Sequence, residues 1–263
     1  MSEICVKHLN YIYKDNGTSF CALKDMNLTL QDGEFVSVIG HSGCGKTTFL
    51  RLVAGLLKPT GGDIWINGNK VQGPGTDRAI VFQQYSLFPW MKVKKQVLFG
   101  IRHSSRKCSG KEAGEIADEF LQKVGMKSAA DKYPFQLSGG MQQRVAIARA
   151  LAMDADILLL DEPFGAVDAR RRAELQGLLA NLWNSEKKRK NVIFVTHDID
   201  EAILLSERIV FMRPGEVAEI IQIPFSYPRE KEKMMESEKY REIKEHIWNL
   251  FYASGGTEYE ACV

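Results

Sequence analysis

The sequence predicts an α/β chain: a mixed, largely parallel sheet, an antiparallel β subdomain near the N terminus, and an inserted α-helical subdomain. Apolar runs bounded by turn residues recur at 35–39, 157–160, 192–195 and 209–212, with helical patterns between them, as in buried parallel sheets. A glycine-rich loop joins the first of these runs to a helical pattern. Residues 84–150 lack long β-branched runs and carry helical periodicity instead, so they read as an insertion between two halves of the core.

Taken in order, residues 4–9 and 28–30 are short strand candidates, broken by the turns Asp15-Asn16-Gly17 and Gln31-Asp32-Gly33. The helix after the glycine loop has apolar residues at 49, 50, 52, 53, 56 and 57, and Pro59 is expected to stop it. Strands follow at 63–66 and 78–82. The helical subdomain is expected over about 84–153, with its clearest pattern at 115–121. Arg213-Pro214-Gly215-Glu216 reads as a hairpin turn. The main domain is expected over 1–225 and a charged helical tail over 226–263, with Tyr240, Ile243, Ile247 and Leu250 as its apolar stripe. There is no internal repeat, which points to a single unit rather than a tandem pair.

Composition narrows the function. With 35 Lys and Arg against 33 Asp and Glu, the net charge is +2, which argues against nucleic acid as a partner. Lys187-Lys188-Arg189-Lys190 reads as solvated surface. Cys5, Cys21, Cys44, Cys108 and Cys262 form no C-x-x-C pair, so neither zinc nor a disulfide framework is expected. No apolar run reaches the ~18 residues of a membrane span, and Met1-Ser2-Glu3-Ile4-Cys5 lacks a signal-peptide pattern.

Three motifs carry chemistry. Gly40-His41-Ser42-Gly43-Cys44-Gly45-Lys46-Thr47 fits a phosphate-binding loop between strand and helix. Glycines let the backbone approach phosphate oxygens, and the N–H groups meet the positive helix end. Lys46 is expected to reach the β- and γ-phosphates and Thr47 to ligate Mg²⁺. His41, Ser42, Cys44 and Thr48 complete the expected contact set, with Cys44 as small filler. In the second motif, the run 157–160 releases Asp161 and Glu162 at its end, where open α/β sheets bind ligands. Asp161 is expected to hold Mg²⁺ and Glu162 to act as general base toward water. The third is Leu137-Ser138-Gly139-Gly140-Met141-Gln142-Gln143-Arg144, which opens a helix with a hydroxyl and free N–H groups. It is a second anion site, or else an ordinary glycine N-cap.

With this signature in place, the chain resembles the ATP-binding-cassette (ABC) ATPases, over nearly its whole length to about residue 225. The resemblance implies a P-loop nucleoside-triphosphatase core that binds ATP and Mg²⁺ and hydrolyses ATP. Tyr13 resembles the aromatic that stacks on adenine, with Tyr11 as a substitute and a plain strand tyrosine as the other reading. Gln83 is similar to the glutamine that contacts Mg²⁺ and the attacking water, Gln84 being the neighbouring register. Phe164-Gly165-Ala166-Val167-Asp168 resembles the Asp loop, and His197 the histidine that contacts the γ-phosphate. The family's working unit is a head-to-tail homodimer. It implies that Ser138, Gly139, Gly140 and Gln142 of one chain meet ATP held by Lys46 of the other.

Gly73-Pro74-Gly75-Thr76-Asp77-Arg78 and Tyr85-Ser86-Leu87-Phe88-Pro89-Trp90-Met91 resemble nitrate/sulfonate/taurine-type importer ATPases. That likeness implies integral-membrane permease subunits, an indirect solute-binding protein, and a peripheral place on the cytoplasmic face of the membrane. Leu87, Phe88, Trp90 and Met91 suit docking of a permease helix, or else packing inside the helical subdomain. A non-transport ABC ATPase, as in iron–sulfur assembly, is the alternative.

Overall fold

The computed structural model describes residues 3–15, 18–84, 86–185 and 189–254. The chain divides into two compact units, Met1–Pro74 with Asn184–Val263, and Gly75–Trp183.

The first unit holds an antiparallel sheet of β1 (Ile4–Asp15), β2 (Thr18–Leu30), β4 (Gly61–Ile66) and β5 (Asn69–Lys70), in the order β2-β1-β4-β5. Both leading strands are far longer than their sequence suggests. Register shifts after Val6 and Leu9 break the alternation, because each bulge flips the face presented by the residues beyond it. The bulges are fixed by side chains: Asn27 Oδ1 accepts from the His8 N–H (2.9 Å), and Asn10 Oδ1 accepts from the Asp25 N–H (3.0 Å). The expected turn at Asn16-Gly17 lies outside the described residues.

This unit also holds β3 (Phe35–Gly40), paired in parallel with β8 (Asn191–Val195) and β9 (Arg208–Arg213). β10 (Glu216–Gln222) adds an antiparallel edge strand through the hairpin that turns at Gly215. Every residue of β3 and β8 is buried, which is why they read as largely apolar runs, with Ser37 inside β3 and Asn191 at the start of β8 as buried polar residues.

Helix α1 (Lys46–Val53) ends well before Pro59. Gly55 takes φ +75°, its N–H bonds to the Leu52 carbonyl, and the Leu56 N–H bonds to the Arg51 carbonyl. This Schellman arrangement needs a left-handed residue. A Cβ at Gly55 would lie 2.1 Å from the Gly73 carbonyl oxygen. The glycine, not the proline, terminates the helix. Helix α6 (Ile199–Leu205) follows β8, and α7 (Lys231–Glu236) and α8 (Glu238–Ser254) close the unit. Tyr240, Ile243 and Ile247 of α8 are buried in one apolar cluster with Ile39, Ile203 and Phe211.

In the second unit, β6 (Arg78–Val81) pairs in parallel with β7 (Ile157–Asp161). Helices α2 (Val93–Arg102), α3 (Gly110–Lys123) and α4 (Gly139–Ala152) pack on one another, and α5 (Ala169–Ser185) follows β7. α3 starts with a reciprocal capping box between Ser109 and Glu112. No helix among the described residues is long and apolar enough to cross a membrane.

Candidate nucleotide and catalytic site

In the first unit, β3 delivers Gly40 beside Met212 of β9. A Cβ at Gly40 (φ +151°) would lie 2.3 Å from the Met212 carbonyl oxygen, and one at Gly45 (φ +105°) would lie 2.5 Å from that of Ala22. Neither position accepts a side chain without moving backbone. The Lys46 ammonium is buried and donates to the Gly40 (2.7 Å) and His41 (2.8 Å) carbonyls, so the cation is held across the loop. Cys44 is buried, and burial pushes its thiol up, with Lys46 opposing. It therefore stays a neutral thiol, filling space.

Thr48 is buried in the first turn of α1, and its hydroxyl lies 3.2 Å from that of Tyr13. That bond ties the outer half of β1 to the helix. Tyr11 packs against Tyr13 at 4.8 Å and 80°. His197 is exposed, in the short turn between β8 and α6. Thr196 Oγ1 donates to Glu201 (2.8 Å) and accepts the Asp198 N–H (3.0 Å), while Asp198 caps α6 through the Glu201 N–H. The turn carrying the histidine is thus fixed on its C-terminal side.

In the second unit, Asp161 ends a strand buried throughout and is itself 3% exposed. Glu162 takes φ +46°, a left-handed conformation that costs a non-glycine residue about 1–3 kcal/mol and persists where the surroundings impose it. Gln83 Nε2 donates to Glu162 Oε2 at 2.9 Å, which joins two residues 79 positions apart. Ser138 is the N-cap of α4, its hydroxyl accepting the Met141 N–H at 3.4 Å. A Cβ on Gly140 would lie 2.9 Å from the Ala166 carbonyl oxygen, so the signature turn lies against the loop that ends in Asp168. Asp168 Oδ1 accepts the Arg171 N–H at 3.1 Å. Gln142 Nε2 donates to the Leu137 carbonyl (3.3 Å).

Loop 88–91 owes its shape to a residue the motifs do not reveal. Gln96 is fully buried; its amide donates to the Phe88 (2.6 Å) and Met91 (3.1 Å) carbonyls and accepts the Phe88 N–H (3.1 Å). A glutamine on an amphipathic helix gives no sequence signal for such a role. The apolar cluster divides: Phe88 packs edge-on to Phe99 (4.8 Å), whereas Trp90 is 69% exposed.

Thr47 in the first unit and Asp161 in the second each offer an oxygen of the hard kind that Mg²⁺ takes, and no group of three or more His, Cys, Asp and Glu among the described residues could form an all-protein metal cage. Magnesium generally takes one or two protein oxygens and completes its shell with phosphate and water. The constricted glycine loop leading into α1 suits the phosphates.

Comparison with known proteins agrees with this geometry. The family model described as ABC transporter matches residues 23–165. The nitrate import ATP-binding protein NrtD of Synechococcus elongatus is 45% identical over 89% of this chain and 85% of its own. The bicarbonate transport ATP-binding protein CmpD of the same species is 42% identical over 95% of this chain and 90% of its own. A dimeric ATP-binding cassette solved in a post-hydrolysis state with ADP and Pi superposes with a TM-score of 0.77 at 36% identity, covering 85% of this chain and all of that one. The glycine loop, the acidic strand end and the Ser138 helix start all lie within the matched residues 23–165, and the chain is a member of the ABC transporter family, with its ATP-binding cassette fold.

Proposed function

We propose that the chain is the ATP-binding, ATP-hydrolysing subunit of a bacterial ABC importer for a small anion or organic solute of the nitrate, sulfonate or taurine type. The observation that carries the catalytic part is the Gln83–Glu162 hydrogen bond at the end of β7. It holds a carboxylate in one orientation beside the strand that ends in Asp161. The names of the relatives support transport, and anion import in particular, over a role in iron–sulfur assembly.

In this reading Tyr13 stacks on adenine, and the N–H groups of the 40–47 loop with Lys46 take the β- and γ-phosphates. Thr47, Asp161 and Gln83 would hold Mg²⁺, which would neutralise charge developing on the phosphates. Glu162 accepts a proton as water attacks the γ-phosphorus and ADP leaves. His197 contacts the transferred phosphoryl group. Ser138, Gly139, Gly140 and Gln142 serve the ATP held by a second copy of the chain, in a head-to-tail homodimer. Integral-membrane permease subunits anchor that dimer at the cytoplasmic face of the membrane, and a solute-binding protein delivers the cargo.

Trp90 is the anchor proposed for the permease. Truncating a central tryptophan anchor typically costs an interface about 2 kcal/mol or more, roughly 30-fold in affinity. Because Trp90 is 69% exposed, Trp90→Ala is expected to leave ATP binding and thermal stability near wild type while co-purification with the permease and ATP-driven uptake in proteoliposomes fall. Lost ATP binding with intact assembly would assign Trp90 to the nucleotide unit and reject the docking role.

A further inference from the structure

The C-terminal helices touch the nucleotide-contacting part of the first unit at two separate places. At one, His41 Nε2–H donates to the Phe251 carbonyl at 3.0 Å, and the two rings meet edge to face at 5.1 Å. Phe251 sits in the last turn of α8, where helix carbonyls run out of helical donors. Its ring also meets Phe211 of β9 edge-on at 4.9 Å. Phe211 is the register partner of Ile39, which precedes the loop. Phe251 thus fits between the strand that supports the loop and a side chain of the loop itself.

At the other, α8 and the segment before α7 hold α6, the helix that follows His197. Tyr240 and Lys244 both bond Asp200 in the first turn of α6, Lys244 at 2.6 Å. Burial works against the Asp200 charge, yet those two partners outweigh it and hold the carboxyl below its ordinary value. At the far end, the Arg229 guanidinium donates to the carbonyls of Ile203 (2.8 Å), Leu204 (3.0 Å) and Ser206 (2.8 Å), a charged cap on a helix C terminus. α6 is therefore gripped at both ends. From Tyr240 to Phe251 the helix spans roughly 16 Å at ~1.5 Å per residue.

We propose that α8 is a cis-acting part of the nucleotide site, with Phe251 a positioning residue for the phosphate loop through His41, and with Tyr240, Lys244 and Arg229 positioning residues for the turn of His197. This rests on the reading of residues 40–47 as the ATP phosphate cradle. An apolar stripe alone would attach the helix to the core. The His41 bond to the Phe251 backbone carbonyl and the Phe251 ring against His41 and Phe211 together give it a direct hold on the loop, and the ring contacts are the part that a Phe251 substitution removes.

The test is a double-mutant cycle in the full chain, read as KM for MgATP, kcat and affinity for a fluorescent ATP analogue. Phe251→Ala and His41→Ala are each expected to raise KM by roughly three- to tenfold, and the double variant to be no worse than His41→Ala, because contacting residues couple. Phe251→Tyr is expected to restore wild-type KM. Additive effects, or an unchanged KM in Phe251→Ala, would overturn the proposal. Should Phe251→Ala fail to fold, Phe251→Leu keeps apolar volume against Phe211 while removing the ring edge, and the same cycle applies. A wild-type chain that binds no ATP analogue would instead reject the nucleotide reading itself, so the two failures are distinguishable.

Discussion

Glu162→Gln is expected to lower steady-state ATP hydrolysis by about 10²–10⁴-fold, the usual contribution of a positioned general base, while nucleotide binding persists. The substitution keeps the length and shape of the side chain, and an amide oxygen can still accept from Gln83 Nε2, as the carboxylate does at 2.9 Å. What is lost is the basicity that the proposed mechanism uses to take the water proton. Binding is expected to survive because Lys46 and the glycine loop belong to the first unit and are untouched. The variant is therefore expected to accumulate with ATP as a closed dimer, seen as a doubled mass on size exclusion with MgATP. Near-normal turnover would remove Glu162 from the role of base. Gln83→Ala is a milder companion, since it frees the carboxylate without removing it.

Much of the site was legible because its chemistry fixes spacing. A phosphate loop needs glycines where a Cβ would strike backbone, and Gly40 and Gly45 meet that condition against the Met212 and Ala22 carbonyls. A strand that ends in carboxylates needs apolar residues up to its last position, as 157–160 supply before the buried Asp161. The parallel strands were legible for the same reason: burial on both faces leaves only apolar runs.

The rest depends on partners distant in sequence. β1 and β2 run as 12- and 13-residue strands, but their bulges break the two-residue period that reveals a half-buried strand. Gly55 ends α1 through a left-handed cap, whereas the apolar pattern continues to Leu57 and suggests a longer helix. The Gln83–Glu162 pair, the Gln96 amide that shapes loop 88–91, and the His41–Phe251 contact 210 residues apart are side-chain meetings set by topology. No local pattern announces them. The amphipathic stripe at Tyr240, Ile243 and Ile247 identified which face of α8 is buried, but not that the end of the helix reaches the phosphate loop.

In the proposed head-to-tail homodimer, one chain would carry two halves of different ATP sites. A chain with Lys46→Ala keeps an intact signature but loses the cation proposed to hold the phosphates. A chain with Ser138→Arg keeps its loop and places a bulky guanidinium at the N-cap of α4, where the hydroxyl and free N–H groups would meet a partner's nucleotide. Each variant alone is expected to hydrolyse ATP at background rates, since every site in its homodimer lacks one half. In a heterodimer, the intact loop of one chain faces the intact signature of the other, while the second site loses both.

Mixing the two inactive chains in equal amounts therefore tests the shared site most directly. Phosphate release is the readout. Random pairing into two-fold dimers restores about a quarter of the wild-type sites, so the mixture is expected to recover ATPase activity toward that level. A mixture that stays at background, or a Ser138→Arg chain that turns over ATP at the wild-type rate by itself, would contradict a site built from two copies of the chain.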